Sequence, residues 1–332
     1  RSVDSMAFIR SISGLRATLG DDLLPERLAA YAAAFGTMLP DGAIAVGRDG
    51  RPSGTWIEYI VCGALAACGR DVVRLGVVPT PTVQLFAEKD GMAGGIAITA
   101  SHNPEQWNGL KFLNGRGVFL DAEENEQLWN IVDNGGFRLV TTQQGGSISE
   151  APEAIYTHID SLLSLPAFTA DGEALVTTIR SRKLRVVVDA VNSSGSVVIP
   201  ALLKRLGCDV IPLYCDGSGI FPHTPEPLPE NLGALARAVA EHGADIGIPV
   251  DPDADRLVLI DEQGHPIGEE NTVVLSILSV LENASAFRQG EVPSVAVNLS
   301  TTRAVEDIAA RFGATVHRTP VGEINVVKAM LE

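Results

Sequence analysis

The sequence predicts an α/β protein of three consecutive α/β domains with mixed, mostly parallel sheets, the third of them incomplete. Short apolar runs of strand length alternate with helical stretches along the chain, which is typical of parallel sheets covered by helices. At about 150 residues per domain, 332 residues correspond to two or three domains. Hydrophobic residues make up 45% of the chain, enough to bury a core without disulfide bonds.

The first domain is predicted over residues 6–165, where each strand-like run leads into a turn or a helix. Asp121 begins one helix, because Glu124 follows three residues later, as in a capping box. The predicted strands are Ala43–Val46, Val72–Val78, Gly95–Thr99 and Gly109–Phe112, and the predicted helices are Thr55–Cys68, one that starts at Pro79-Thr80-Pro81, Asp121–Val132 and Ala151–Leu163.

The second domain is predicted over residues 166–262 and begins with the linker-like stretch Pro166–Glu173. Pro249 has no amide hydrogen, so we expect its strand to lie at a sheet edge or to be unpaired there. The predicted strands are Leu184–Val188, Val210–Tyr214 and Ile246–Val250, the helices are Gly195–Leu206 and Glu230–His242, a proline-rich loop covers Phe221–Pro229, and a hairpin starts at Leu257–Ile260.

The third domain is predicted over residues 263–332 and is expected to be incomplete, because its last helix reaches Glu332 without a turn residue. Its predicted elements are the helix Asn271–Leu281, the strand Val295–Leu299, the helix Thr302–Phe312, the strand Thr315–Arg318 and the start of a final helix.

Charge and hydropathy exclude several classes of protein. Lys and Arg number 25 against 41 Asp and Glu, and the net charge of −16 disfavours binding to nucleic acids or to anionic membranes. The longest apolar run, Ile60–Gly69, is shorter than the roughly 18 residues of a membrane span. Four cysteines without a CxxC pair fit small buried side chains in a reducing compartment. We expect a cytoplasmic monomer or homodimer.

The turn Thr99-Ala100-Ser101-His102-Asn103-Pro104 follows a predicted strand, where ligands collect in open parallel sheets. A serine exposed in such a turn can act as a nucleophile, although the G-x-S-x-G elbow of hydrolases is absent. His102 is adjacent to Ser101, and neighbouring side chains rarely form a nucleophile–base pair. The alternative is an Asn-Pro turn with a helix-capping serine, and the residues alone leave both open.

Asp251, Asp253 and Asp255 alternate directly after another predicted strand. Carboxylates in this pattern can converge on one hard cation such as Mg²⁺ or Ca²⁺. An EF-hand loop does not fit, because Arg256 stands where that loop needs glycine. A haloacid-dehalogenase site does not fit either, since its nucleophilic Asp is expected after the first strand. The remaining alternative is a solvated acidic loop.

Several cations lie at the ends of predicted strands or in short loops of this acidic chain. Such cations suggest anionic ligands, and the alternative for each is a surface ion pair with a neighbouring acid. Arg48 beside Asp49 is the strongest candidate for such a pair. The cations are Arg16, Arg48, Arg51, Lys111 and Arg256.

Taken together, these motifs resemble the α-D-phosphohexomutase superfamily, which includes phosphoglucomutase, phosphomannomutase and phosphoglucosamine mutase. The serine loop and the acidic loop are its most specific features, and the match runs from Met6 to the end of the chain. The matching segments are Ser13–Gly20, Val46–Gly54, Val78–Thr82, Ile98–Phe112, Phe221–Leu232 and Ala244–Leu257.

The resemblance implies an enzyme that interconverts hexose 1-phosphate and hexose 6-phosphate through a phosphoserine and a bisphosphorylated sugar. Ser101 would carry the phosphoryl group, and a hexose bisphosphate would activate the enzyme. One Mg²⁺ would be bound by Ser101, Asp251, Asp253 and Asp255. The other catalytic residues would be Arg16, Lys111 and His102, and the substrate phosphate would be bound by Arg16, Arg48, Asn103, Lys111 and Arg256.

The chain departs from the family at its C-terminal side. Family members typically have a fourth domain, and their sugar-recognition loop is expected shortly after Glu332. Gly268-Glu269-Glu270-Asn271 is superficially similar to that loop but comes too early and opens a predicted helix. The hexose, whether glucose, mannose or glucosamine, therefore stays open. A metal-dependent phosphoserine-type phosphatase and an inactive metal-binding fragment are the alternative functions.

Overall fold

The computed structural model describes residues 8–165, 168, 172–282 and 292–331. Most of the linker predicted at Pro166–Glu173 lies outside these residues. In the described part of the chain, no helix combines the length and the apolar character that crossing a membrane would require. The sheets found there form three α/β units in sequence order, which confirms the predicted fold class.

Seven of the described strands form one mixed sheet. Four neighbouring strands are parallel, and the three at the other end pair antiparallel. The strands are β1 (Ile9–Ser11), β2 (Gly14–Thr18), β3 (Ala43–Arg48), β4 (Val72–Val77), β5 (Met92–Ile98), β6 (Trp107–Asn114) and β7 (Ile148–Glu150), in the order β1-β2-β6-β5-β3-β4-β7.

Helices cover both faces of this sheet, so its central strands are apolar on both sides. Ile44 and Val46 pack on one face with α1, α2 and α4, whereas Ala45 packs on the other with α3 and α5. The helices are α1 (Pro25–Met38), α2 (Gly54–Ala67), α3 (Thr80–Ala87), α4 (Ala122–Asn134) and α5 (Ala154–Leu163).

The second sheet is parallel, and a proline lies in its edge strand. Its order is β10-β8-β9, and Pro249 ends β10. On the other side of β10, the described residues show the isolated bridge Gly247–Ile260 and a hydrogen bond from the Val258 amide to the Pro249 carbonyl oxygen, but no paired strand. The edge position expected for Pro249 is thus observed. The elements are α6 (Gly172–Arg182), β8 (Arg185–Asp189), α7 (Gly195–Arg205), β9 (Asp209–Leu213), α8 (Gly233–His242) and β10 (Ile246–Pro249).

The third unit pairs two parallel strands, β11 (Ser294–Asn298) and β12 (Thr315–Thr319). Helix α9 (Glu269–Glu282) begins directly after Gly268, so Gly268–Asn271 opens a helix as expected. Helices α10 (Ala304–Arg311) and α11 (Glu323–Leu331) complete the described elements. The strands of the three sheets fall within the three predicted ranges, and the boundaries themselves stay predictions.

All four cysteines are free, in agreement with the sequence prediction. Burial raises the pKa of each thiol, to about 12 for Cys62 and to about 11 for Cys215. High thiol pKa values keep the reactive thiolate scarce, so these side chains serve packing rather than chemistry.

Candidate active site

The serine loop leaves the carboxyl end of β5 with a strained backbone. Ser101 has φ of +51° and is almost fully buried. A non-glycine residue in the left-handed region costs roughly 1–2 kcal/mol, so its surroundings must hold it there. The Ser101 amide donates to Thr99 Oγ1 at 2.8 Å, and the Asn103 amide donates to the carbonyl of Ala100 at 3.1 Å. The hydrogen bond from Asn103 closes the turn before Pro104, and Ser101 is buried inside this same turn.

The side chain of Arg51 supports the serine loop through hydrogen bonds. Its guanidinium is fully buried and donates to the carbonyl oxygens of Ser101 at 2.8 Å and of Asn103 at 2.5 Å. It also donates to the carboxylate of Asp49, which accepts the Thr99 hydroxyl at 2.7 Å. Every one of these residues comes from the loops after β3 and β5, so the first domain shapes the serine loop by itself.

The acidic loop follows β10 and faces the serine. One ligand oxygen from each of Asp251, Asp253 and Asp255 lies within 4.8 Å of the others. Asp251 Oδ2 accepts the Ser101 hydroxyl at 3.0 Å, and its Oδ1 accepts the backbone amides of Asp255 and Arg256. Burial first, and then the neighbouring carboxylates, raise the pKa of Asp251 well above its usual value.

Two side chains of the first domain bind the acidic loop. Lys111 on β6 places Nζ 2.7 Å from Asp253 and 2.6 Å from Asp255, and Thr80 at the start of α3 donates to Asp253 at 2.5 Å. Burial opposes the charge on Lys111, but the two carboxylates outweigh it and raise its pKa. Burial also opposes ionisation of Asp253, but Lys111 and Thr80 outweigh it and lower the pKa of Asp253.

The residues of the acidic loop fit a divalent metal ion. Asp253 Oδ1 is buried and has no hydrogen-bond partner, which is costly for a carboxylate oxygen unless a cation or water faces it. Lys111 binds two of the three carboxyl groups, Asp253 and Asp255, so the negatively charged oxygen atoms of the loop are only partly paired by it. Oxygen donors with this charge are the ligands that Mg²⁺ prefers. The four ligands predicted from the sequence, including Ser101, lie together.

A cavity of about 410 Å³ opens in front of these groups. Most of the predicted catalytic and phosphate-binding residues line it, and the third domain reaches it through Glu323. Its polar lining comprises Ser13, Arg16, Thr80, Gln84, Ser101, Lys111, Asp255, Arg256 and Glu323.

His102 and Asn103 belong to the serine loop, and Arg16, which lines the cavity, contacts that loop. Arg16 donates to Asn103 Oδ1 at 3.2 Å, which ties β2 to the serine loop. His102 Nδ1 lies 3.4 Å from Ser101 Oγ, longer than an ordinary hydrogen bond to a hydroxyl, so the pair is loose. Burial, then Arg256, lowers the pKa of His102. Glu226 Oε1 lies 3.9 Å from His102 Nε2 and 3.1 Å from Arg256 Nη1.

Arg48 does not join this group. Its Nε lies 3.5 Å from Glu58, a buried carboxylate on α2 that also binds Arg74, and Arg48 is not among the residues that line the cavity. The ion pair expected between Arg48 and the Asp49 carboxylate is not formed, because Arg51 occupies that carboxylate. Arg48 thus faces a buried acid of its own domain.

Sequence reasoning missed several contributors, namely the loop-holding role of Arg51 and the contacts of Thr80, Glu226 and Glu323. Thr80 follows closely after β4, so its place at the carboxyl edge of the sheet was available as a signal. Glu226, in a loop, and Glu323, at the first position of α11, reach the site only through the packing of the second and third domains on the first, which no sequence pattern shows.

The site brings a buried serine, a lysine and three aspartates from two sheets to one cavity beside several cations, as in an enzyme of phosphoryl transfer. Family models described as phosphoglucomutase/phosphomannomutase α/β/α domains I, II and III match residues 9–139, 164–264 and 270–332. The chain therefore belongs to this family, within the α-D-phosphohexomutase superfamily, whose members are phosphotransferring isomerases.

Relatives and solved structures agree with this assignment. The chain is 34% identical over 321 residues to a probable phosphoglucosamine mutase of Methanopyrus kandleri, covering 96% of this chain and 67% of the relative. It is 34% identical over 326 residues to a phosphoglucomutase/phosphomannomutase of Thermococcus kodakarensis, covering 96% of this chain and 68% of the relative. A family protein from Burkholderia thailandensis has a similar structure, with a TM-score of 0.77, 26% identity and coverage of 97% and 69%. The chain spans about two thirds of these proteins.

Proposed function

We propose that the protein interconverts hexose 1-phosphate and hexose 6-phosphate through a phosphoserine at Ser101 and a bisphosphorylated sugar. The observation that carries this proposal is the meeting of two loops 150 residues apart, in which Ser101 Oγ lies 3.0 Å from Asp251 beside the open cavity. A nucleophile, a cluster of acids and several cations at one cavity are the parts that a reversible phosphoryl transfer needs.

In the proposed reaction, a sugar hydroxyl attacks the phosphorus of phosphoserine. The bond from phosphorus to Ser101 Oγ breaks as the bond to the sugar oxygen forms, and the proton that the sugar hydroxyl loses ends on the freed Ser101 oxygen. The sugar bisphosphate then turns over, and the same transfer runs in reverse, so that Ser101 takes the other phosphoryl group and its proton ends on the sugar oxygen. Lys111 lines the cavity together with Ser101, and its ammonium charge can stabilise negative charge on the transferring phosphoryl group.

The remaining residues bind and orient. Arg16 and Arg256 project into the cavity from opposite domains, which suits a substrate with two anionic ends. Ser101, Asp251, Asp253 and Asp255 would hold one Mg²⁺, which when bound would neutralise charge on the transferring phosphoryl group. A hexose bisphosphate would load Ser101 at the start.

We do not assign one hexose to the proposed reaction, and glucose, mannose and glucosamine all stay candidates. Of the relatives compared, the one from Methanopyrus kandleri is named for glucosamine and the one from Thermococcus kodakarensis for glucose and mannose. These two have the same identity to this chain, so the names do not favour one sugar.

The test is the intact mass of the full-length protein before and after incubation with Mg²⁺ and hexose 1,6-bisphosphate. We expect a gain of one phosphoryl group that maps to Ser101 and is absent from Ser101→Ala. A fully folded wild-type protein that never gains mass would contradict the proposal. Steady release of inorganic phosphate would instead indicate the phosphatase. Melting shifted by Mg²⁺ without any phosphoryl uptake would indicate an inactive metal-binding protein.

A further inference from the structure

The proline-rich segment 221–229, which we name the clasp loop, contacts both halves of the site. Its first residue, Phe221, packs against the Arg51 guanidinium, with 5.0 Å between the ring centroid of Phe221 and Arg51 Cζ. Its sixth residue, Glu226, accepts from Arg256 at 3.1 Å and lies 3.9 Å from His102. The position of this loop therefore sets the position of two polar groups at the cavity.

His223 fixes the clasp loop through both of its ring nitrogens. Nε2 lies 2.9 Å from Asp189 Oδ2, and Nδ1 lies 2.8 Å from the carbonyl oxygen of Thr224. A carbonyl oxygen accepts only, and an ionised carboxylate accepts only, so both nitrogens must carry hydrogens for both bonds to form. Two ring N–H groups make the imidazolium, the charged form of histidine.

The surroundings of His223 support the charged form. Asp189 ends β8, is almost fully buried, and its other oxygen accepts the Val191 amide. The Tyr214 ring meets the His223 ring edge-on at 5.8 Å, and the Cys215 thiol nearby donates to backbone carbonyl oxygens. Burial opposes the charge, but the bond to Asp189 and its charge outweigh it and raise the pKa of His223.

We propose that His223 is a positioning residue whose imidazolium clasps the loop 221–229 to Asp189 and so holds Glu226 against Arg256 and His102 at the cavity. This inference rests on the proposed function for the use of the cavity, but the state of His223 stands on the contacts alone. A neutral imidazole keeps one N–H and can donate only one of the two bonds. The carboxylate of Asp189 would then lose a charged donor while buried, which is costly.

The direction of the pH dependence follows from the raised pKa. A group whose pKa is higher in the folded protein contributes stability that is complete below its unfolded pKa of about 6.5 and is lost as pH rises through the folded value. The clasp is therefore closed below about pH 6.5 and opens as pH rises through the raised pKa of His223.

The first experiment measures the charge of His223 by nitrogen NMR of the full-length protein, with the signal assigned by its absence in His223→Gln. We expect the imidazolium pattern of the wild type to persist above pH 6.5, and the midpoint of its titration to be lower in Asp189→Asn. A single neutral tautomer in the wild type at neutral pH would overturn the proposal. The wild-type titration decides even if Asp189→Asn does not fold.

The second experiment compares kcat and KM across pH for the wild type, His223→Gln and the control His265→Gln, whose ring is exposed at a distant turn. We expect His223→Gln to raise KM more than it lowers kcat, with kcat/KM reduced roughly ten- to hundredfold. The decline of kcat/KM at alkaline pH, which we expect in the wild type as His223 loses its proton, should be absent from His223→Gln.

An unchanged profile in folded His223→Gln would overturn the positioning role. If no variant and no wild-type protein shows mutase turnover, the proposed function fails, and the NMR result still decides whether His223 is the charged clasp.

Discussion

Ser101 shows how strain at a single residue is supported. Its positive φ aims the hydroxyl at Asp251, and the carbonyl oxygens that this turn exposes are both taken by Arg51. The fork of a guanidinium reaches several oxygens at once, which the ammonium of lysine cannot do with the same geometry. Arg51 is therefore a positioning residue for the nucleophile.

Replacing Arg51 with lysine tests this role. Arg51→Lys should leave at least one buried carbonyl oxygen without a donor, at a cost of about 1–3 kcal/mol in the free energy of unfolding. Phosphoryl uptake by Ser101 should slow as well, because the loop loses its support. Urea denaturation and the rate of mass gain measure the two effects.

The matched control is Arg48→Lys. Arg48 contacts Glu58 and the carbonyl oxygen of Asp49 rather than the serine loop, so uptake by Ser101 should slow less than in Arg51→Lys. Equal uptake rates in Arg51→Lys and the wild type would contradict the positioning role.

Much of the site could be predicted from single residues, and the reason is topological. Ser101 and Asp251 each follow a strand directly, which marks each as a candidate, but they belong to different sheets, and only the family resemblance predicted that the two loops act together. Arg48 also follows that rule, yet its side chain is drawn to Glu58 on a neighbouring helix, which the sequence does not reveal. Whether a cation near a strand end reaches the ligand depends on buried partners from other elements.

The central strands could be predicted because burial on both faces makes them continuously apolar. The predicted Val72–Val78 and Gly95–Thr99 overlap closely with β4 and β5. The missed strands β1, β2 and β7 lie at or next to the sheet edges, where pairing with β6 or β4 rather than composition decides the conformation. Helix α1 was missed although Pro25 at its first position is a helix-start signal.

One predicted helix is divided. The helix expected at Glu230–His242 is a 3₁₀ turn at Pro229–Asn231, followed by α8 from Gly233. The amide of Leu232 bonds the carbonyl of Pro229, so the first turn closes on itself before α8 begins. The apolar period cannot separate these two segments, because the buried Leu232 that joins them continues the spacing of Leu235 and Val239 in α8.

Helix α4 gives a measurable case of capping. The Asp121 carboxylate accepts the Glu124 amide at 2.9 Å, and the Glu124 carboxylate accepts the Asp121 amide in return. Asp121→Ala should lower the free energy of unfolding by about 1 kcal/mol, since a cap is lost.

Asp121→Asn is the matched variant, because asparagine also caps helices well. This variant keeps the cap and removes only the charge that pairs with Lys328 at 2.8 Å on the surface. Its free energy of unfolding should therefore fall less than that of Asp121→Ala. Thermal unfolding of the two variants measures the difference, and equal losses would show that the ion pair rather than the cap matters.

The whole molecule assembles the site across the first two domains. The Gly50 amide donates to Ser193 Oγ at 2.8 Å, and the Thr80 amide donates to the carbonyl of Asp253 at 2.9 Å. Gly219 lies so close that an added Cβ would stand 1.7 Å from the carbonyl oxygen of Gly50. The distance between the serine and acidic loops therefore depends on tight backbone contact between the domains.

Gly219→Ala should push the two domains apart. The substitution adds the steric conflict with Gly50 to the roughly 1–2 kcal/mol cost of a positive φ, so phosphoryl uptake by Ser101 should fall together with stability. Unfolding in urea and the rate of mass gain are the two measurements.

Gly217→Ala is the control, since Gly217 has a similar positive φ but no neighbour within 4 Å of its added Cβ. It should lose stability by the backbone cost alone and keep its uptake rate. Equal behaviour of the two variants would show that close packing at Gly219 does not set the site.

The separation of Ser101 and Asp251 also orders events in time. The two residues are 150 positions apart, and a ribosome adding about 5–20 residues per second makes the acidic loop roughly 10–30 s after the serine loop. Arg51, Asp49 and Thr99 are all present early, so the serine takes its shape while the carboxylates are still unmade. A first domain that folds as it is made would hold the proposed nucleophile in place before the acidic loop exists, and phosphoryl transfer could begin only after the second domain has docked.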